Sequence, residues 1–219
     1  MLTFEELKKN NAINTYIIGA DKSLAALGFT EHSFAHVTKV AETCKYILLT
    51  MGKDEHNIEL SQIAAYLHDI GNLVNRVEHS QSGAVMAFRI LDKLNMDASD
   101  IATIVTAIGN HDEGTGVPVD DISAALILAD KSDVRRSRVR NTDKTTFDIH
   151  DRVNYSVESS DLEINQEKTE IRLTLTIDTT YGSIMEYFEI FMERMLLCRK
   201  AAEKLGLHFK LTINNQQLL

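Results

Sequence analysis

Apolar positions recur with a helical period through the first two thirds of the chain and alternate with period two only near its C-terminal end. The spacing predicts a helix over residues 12–27, stopped by Gly28. Thr30 is placed to cap a longer helix reaching Met51, with Phe34, Val37, Val40, Ala41, Cys44, Ile47 and Leu48 as its apolar stripe and Gly52 as its stop. Further helices are predicted over 58–69, over 79–94, from Asp97 or Ser99 to Gly109, and over 121–131. The polar, glycine-containing loop HDEGTGVPVDD precedes the last of these and holds the sole proline, Pro118. Residues 135–146, RRSRVRNTDKTT, read as an exposed arginine-rich connection, followed by a short helix around 147–154.

The period-two segment places Leu162 and Ile164 on one side of a turn and Ile171, Leu173, Leu175 and Ile177 on the other, which predicts a β-hairpin. Helical spacing returns over about 183–205 through Ile184, Phe188, Phe191, Met195, Cys198, Ala202 and Leu205. That stripe is expected to pack on the small sheet or on a partner subunit, and its heptad-like spacing permits a homodimer. Gly206 ends the helix, and LHFKLTIN reads as a final strand. The expected fold is therefore mostly α with a small C-terminal α+β part of ββαβ order. It divides into a helical domain over 1–150 and a ββαβ subdomain over 151–219.

Composition narrows the partners. The chain has 219 residues and a formal net charge of −9, which disfavours nucleic acid and anionic membranes as general partners. Its two cysteines, Cys44 and Cys198, sit in apolar helical stretches and suit a reducing compartment. The N-terminal MLTFEELKKN lacks a signal peptide's apolar run, and no stretch approaches the roughly 20 apolar residues of a membrane span. A cytoplasmic protein is expected.

Chemistry enters through polar residues in apolar company. His36 lies between Ala35 and Val37, and taken alone it would be an ordinary core or surface histidine. His32 precedes it by about one turn, as an outer partner or a solvated residue. His68 and Asp69 end an apolar helix, where a buried carboxylate is costly by several kcal/mol unless paired or metal-bound. Asp130 closes the run AALILA in the same way. His79 at a helix start and His111 in a loop are each balanced between surface residue and ligand. Asp112 and Glu113 are capping or outer groups. Imidazole with carboxylate suits divalent transition metals, iron or manganese foremost, with zinc, cobalt, nickel and magnesium also compatible. With no cysteine among them, the group is not a structural zinc cluster.

The order His36, His68-Asp69, His79, His111, Asp130 resembles the HD superfamily of metal-dependent phosphohydrolases. The matching pieces are HVTKVAE, AAYLHDIG, HSQSGA, IGNHDEG and ILADKSDVRR, spanning about residues 30 to 136. The resemblance implies an HD-type helical bundle in which His36, His68, Asp69 and Asp130 hold a first metal. His79 and His111 would complete a second site, with Asp69 bridging, so one or two metals are implied. ADKSDVRR is similar to the motif that follows the last ligand in the bacterial diadenosine tetraphosphate hydrolase group. Two departures stand out. Asn72 occupies the place where HDIGK-type members carry a lysine, and GTGVP lacks the tyrosine of cyclic-dinucleotide phosphodiesterases.

The expected activity is hydrolysis of a nucleotide or related phosphate ester by metal-activated water. Asp69 would orient that water, and His79 or His111, where not ligating, would protonate the leaving oxygen. Lys131, Arg135 and Arg136 are candidates to neutralise the phosphate, against a plain reading of the arginines as a solvated loop. Two alternatives share the ligand set: a mixed-valent di-iron oxygenase, and a non-catalytic module that binds a nucleotide.

Overall fold

The structure, a computed structural model, describes residues 2–219. A short helix α1 (Phe4–Lys8) leads into α2 (Asn11–Ala26), α3 (Phe34–Thr50), α4 (Glu55–Leu67), α5 (His79–Lys93), α6 (Ala98–Gly109) and α7 (Asp121–Ser132). Then come α8 (Ile149–Ser156), strands β1 (Val157–Ile164) and β2 (Glu170–Ile177), the long α9 (Ile184–Lys204), β3 (His208–Ile213) and a two-residue β4 (Gln216–Gln217). The mostly helical fold with a ββαβ C-terminal part is as expected. α1 and β4 are additions too short to leave a periodic signal.

Helix boundaries differ from the sequence expectation where several residues could serve as caps. α3 starts after Ser33, whose Oγ accepts from Ala35 N, so Thr30 is not its cap. α4 starts three residues earlier than expected because Asp54 accepts from Asn57 N. It also ends at Leu67, leaving His68 and Asp69 just past the last helical turn. A single tight turn, Ile70–Leu73, follows. This turn lies against α5 so closely that a side chain at Gly71 would meet His79 O at 1.9 Å and Gly83 N at 2.5 Å. Glycine at 71 is what lets the doublet and His79 share one locality.

The stretch expected to be an exposed connection is only partly so. Within it Arg138 is 5% exposed. Arg138 Nη1 donates to Asp133 O at 2.6 Å and its Nε to Glu31 O at 2.8 Å, which ties the segment to the loop before α3.

The sheet has the order β1-β2-β3-β4. β1 and β2 are antiparallel with Leu162 opposite Leu173, and β2 and β3 are parallel with Leu173 opposite Leu211. α9 is the crossover a parallel pair requires. Alternate residues Ile171, Leu173, Leu175, Phe209, Leu211 and Ile213 are buried on one face. α9 packs on β3 and, through its other flank, on α7. One buried cluster accordingly runs from Phe4 to Ile213, and the boundary expected at residue 150 falls within α8.

Candidate metal centre

Six polar residues from five places in the helical part meet in its interior. α3 supplies His36, the end of α4 supplies His68 and Asp69, α5 opens on His79, the loop after α6 supplies His111, and α7 supplies Asp130. His36 and His68 are fully buried, and His79, His111 and Asp69 are 2%, 1% and 6% exposed. One ligand atom each from His36, His68 and Asp130 lies within 4.8 Å of the others, and the same holds for His68, Asp69 and His111.

Hydrogen bonding fixes the histidine tautomers. His68 Nδ1 lies 2.6 Å from Ala65 O, His111 Nδ1 2.6 Å from Ile108 O, and His79 Nδ1 3.1 Å from Arg76 O. His36 Nδ1 lies 2.8 Å from Asp133 Oδ2. Carbonyl and carboxylate oxygens only accept, so each Nδ1 carries a hydrogen, and Nε2 is the atom each ring can offer to a cation. Those Nε2 atoms face the same interior point. His79 Nε2 and His111 Nε2 are 3.2 Å apart, an opposition of two acceptors that a shared positive charge relieves.

The carboxylates complete the set. Asp69 Oδ2 is 3.2 Å from His68 Nε2 and 3.5 Å from His36 Nε2, while its Oδ1 is 3.5 Å from His79 Nε2. Asp130 Oδ1 is 3.3 Å from His36 Nε2 and 3.6 Å from His68 Nε2. Despite these approaches, His36 Nε2, His68 Nε2 and Asp69 Oδ2 are buried without a hydrogen-bond partner. Buried polar atoms are rarely left unsatisfied, and here the orphans are three adjacent electron-pair donors. A divalent cation fits this arrangement, with Asp69 spanning the two halves of the ligand set. Burial would push the His68 imidazole down in pKa, but Asp69 and Asp130 outweigh it and raise it to about 10, so the site favours positive charge at its centre. Asp69 and Asp130 stay ionised well below the usual carboxylate range despite burial, held there by His68 and by Lys131 respectively.

A cavity of about 640 Å³ opens onto Asp69, His79 and Asp130. Lys131 lines it, 2.7 Å from Asp130 Oδ2 and 3.3 Å from Glu113 Oε2. Arg135 and Arg136 are absent from its lining. Arg135 is bound to Asp133 and Glu31, and Arg136 lies over the Tyr155 ring and donates to Tyr155 O, so neither is placed to meet a phosphate in this cavity. The arginines that do line it are Arg76, Arg138 and Arg194. Sequence reasoning passed over all three: Arg76 and Arg138 sit in polar stretches, and Arg194 lies off the apolar stripe of α9. His150 also reaches the cavity, as does Glu113. His32 lies beside the centre with its ring 5.5 Å from that of His36, but its Nδ1 is spent on Thr30 O.

Fold and site together define a helical protein with a buried His/Asp centre suited to divalent metal. Residues 33–169 match the sequence model described as "HD domain", more than half the chain, and the chain belongs to that family. It is similar to the uncharacterized protein MJ1020 of Methanocaldococcus jannaschii, 25% identical over 218 residues covering 89% of this chain and 83% of that one. Among solved structures it is similar to a predicted HD superfamily hydrolase from an uncultured Thermotogales bacterium. That match has 26% identity and a TM-score of 0.46, and covers 61% of this chain and 75% of that one. No helix among the described residues is long and apolar enough to cross a membrane.

Proposed function

We propose that the protein is a metal-dependent phosphohydrolase, acting on a nucleotide or related small phosphate ester in a cytoplasmic setting. The observation that carries this reading is the convergence of four Nε2 atoms and two ionised carboxylates at the inner end of a cavity that Arg76, Lys131, Arg138 and Arg194 also line.

His36, His68, Asp69 and Asp130 would hold a first divalent cation, and His79 and His111, with Asp69, a second. Such a cation lowers the pKa of water toward neutrality and polarises a phosphoryl oxygen. The residues do the rest. Asp69 Oδ2, buried and unpartnered, orients the attacking water. The P–O ester bond breaks, hydroxide adds to phosphorus, and a proton passes to the leaving oxygen. Lys131 Nζ, fixed by Asp130 and Glu113, offsets charge on the phosphoryl group. The Nδ1 hydrogens of His79 and His111 are committed to carbonyls, which favours ligation over proton donation for both. The likeness of ADKSDVRR to the diadenosine tetraphosphate hydrolase motif makes a dinucleotide polyphosphate one candidate substrate.

The test is elemental analysis of anaerobically purified protein together with hydrolysis assays on a panel of phosphate esters. About one or two metal equivalents per chain are expected. Asp69→Ala should lower turnover on the order of a thousandfold or more and cut metal content. Protein that takes up no metal and hydrolyses nothing overturns the reading. A mixed-valent iron spin signal with oxygen uptake would replace it with the oxygenase, and tight nucleotide binding without turnover would replace it with the regulatory module.

A further inference from the structure

The charges around the cavity are unevenly placed. Lys131 is paired with Asp130 and Glu113, Arg194 with Glu113 with Nε 2.8 Å from Oε1, and Arg138 with Asp133 at 3.6 Å. Among the described residues, Arg76 is the one cavity-lining cation with no carboxylate in ion-pair contact. It stands at the metal-ligand end, with Nη1 3.4 Å from His79 Nε2. Asn72 holds it there. Its Oδ1 accepts from Arg76 Nη1 at 3.4 Å, while its Nδ2 donates to Asp69 Oδ1 at 3.0 Å. The guanidinium also lies over the Phe29 ring, 5.6 Å from its centroid. One ligand-side carboxylate and one uncommitted arginine are thus oriented by the same buried side chain.

The outer wall is opposite in sign. Asp148, which caps α8, and Asp151 within it form this wall with Glu189 and Glu193 of α9. A single uncommitted guanidinium suits one phosphoryl group, bound bidentately. Four carboxylates further out act on whatever lies beyond it, and a wall of one sign of charge repels a like-charged group that must pass it.

Resting on the phosphohydrolase reading, we infer that the cavity selects phosphate monoesters whose remainder is neutral or cationic. Arg76 receives the phosphoryl group, and the acidic wall discriminates against a chain of further phosphates. A dinucleotide polyphosphate is then a poor substrate, although the ADKSDVRR likeness pointed to one.

The experiment compares the mono-, di- and triphosphates of one nucleoside, with metal in excess over total phosphate. Calorimetric binding of inorganic phosphate and of pyrophosphate to the metal-loaded protein accompanies it. The expected result is a kcat/KM that falls about tenfold for each added phosphate, a gap that shrinks at about 0.5 M salt. The combined variant Asp148→Asn, Asp151→Asn, Glu189→Gln, Glu193→Gln should shrink the gap likewise. Arg76→Gln should raise the monophosphate KM roughly 10- to 100-fold with metal content unchanged, and Arg76→Lys should restore part of it. The inference is overturned by a triphosphate used as well as the monophosphate. It is overturned equally by a preference unmoved in the combined variant, or by an Arg76→Gln KM within about twofold of the parent. If no ester is hydrolysed at all, the phosphohydrolase reading falls and the binding measurements decide separately. Phosphate binding more tightly than pyrophosphate, and weakened in Arg76→Gln, upholds the charge filter, while the reverse order overturns it.

Discussion

The inner end of the cavity and its outer wall are built by different parts of the chain under different constraints. The inner end draws on α3, the end of α4, α5, the loop after α6, and α7, and its side chains are almost wholly buried. Each histidine is held by a further contact that leaves its Nε2 pointing inward. The outer wall draws on α8 and α9, and its Glu189 and Glu193 are exposed. Burial makes the inner groups interdependent, because a charge lost there leaves an uncompensated neighbour. The wall groups are solvated and separable, so they can tune which ester enters without disturbing the centre.

The sharpest way to break this contrast is to attack the inner end through packing rather than chemistry. Gly71→Ala places a methyl group 1.9 Å from His79 O, a backbone atom that cannot move aside without shifting α5. The expected outcome is a loss of about 3 kcal/mol of stability together with loss of metal, read by denaturant unfolding and elemental analysis. A stable, metal-replete Gly71→Ala protein would show that the turn and α5 are not rigidly coupled. Gly114, with open space around its Cβ position, is the matched control.

The same contrast explains what was legible in the sequence. Asp69 and Asp130 stood out because a carboxylate amid apolar helix residues is costly, and that cost is visible in the local pattern. His79 and His111 became specific only through their order in the chain, since a histidine in a polar setting carries no such signal. Arg76, Arg138 and Arg194 gave no sign, because an arginine in a polar stretch, or on the polar side of an amphipathic helix, looks the same whether it meets solvent or a cavity. Within RRSRVR, adjacency to the last ligand favoured Arg135 and Arg136, whereas chain direction after α7 turns Arg138 inward. α9's stripe correctly announced a packed face, but its contact with α7 pairs elements more than 50 residues apart, beyond any local period. That contact is what brings Arg194 to Glu113 and the cavity.

A smaller effect is expected one layer out from the His/Asp centre. Asp133 is 1% exposed, and its Oδ2 accepts from His36 Nδ1 at 2.8 Å, while Lys39 and Arg135 bind its Oδ1 at 3.0 Å and 2.9 Å. The carboxylate holds the His36 tautomer that presents Nε2 to the centre. Asp133→Asn removes the charge, and the amide can turn its NH₂ toward Nδ1 and reverse the tautomer. Metal affinity should weaken about 10- to 100-fold with the fold intact, measured by competition with a chelator against parallel unfolding curves. An unchanged affinity would mean that packing alone orients the His36 ring.

The smallest expected effect is at Arg136, and it separates adjacency in sequence from placement in the fold. Its guanidinium lies 4.6 Å from the Tyr155 ring centroid, and its Nε donates to Tyr155 O at 2.6 Å. Both contacts tie the segment after α7 to α8, and neither faces the cavity. Arg136→Ala should therefore cost about 1 kcal/mol of stability through the lost hydrogen bond and cation–π contact. It should leave metal content and the KM for a phosphate ester unchanged. A KM raised as far as that of Arg76→Gln would mean that Arg136 swings into the cavity when substrate binds, and that the arginine following the last ligand is a phosphate residue after all.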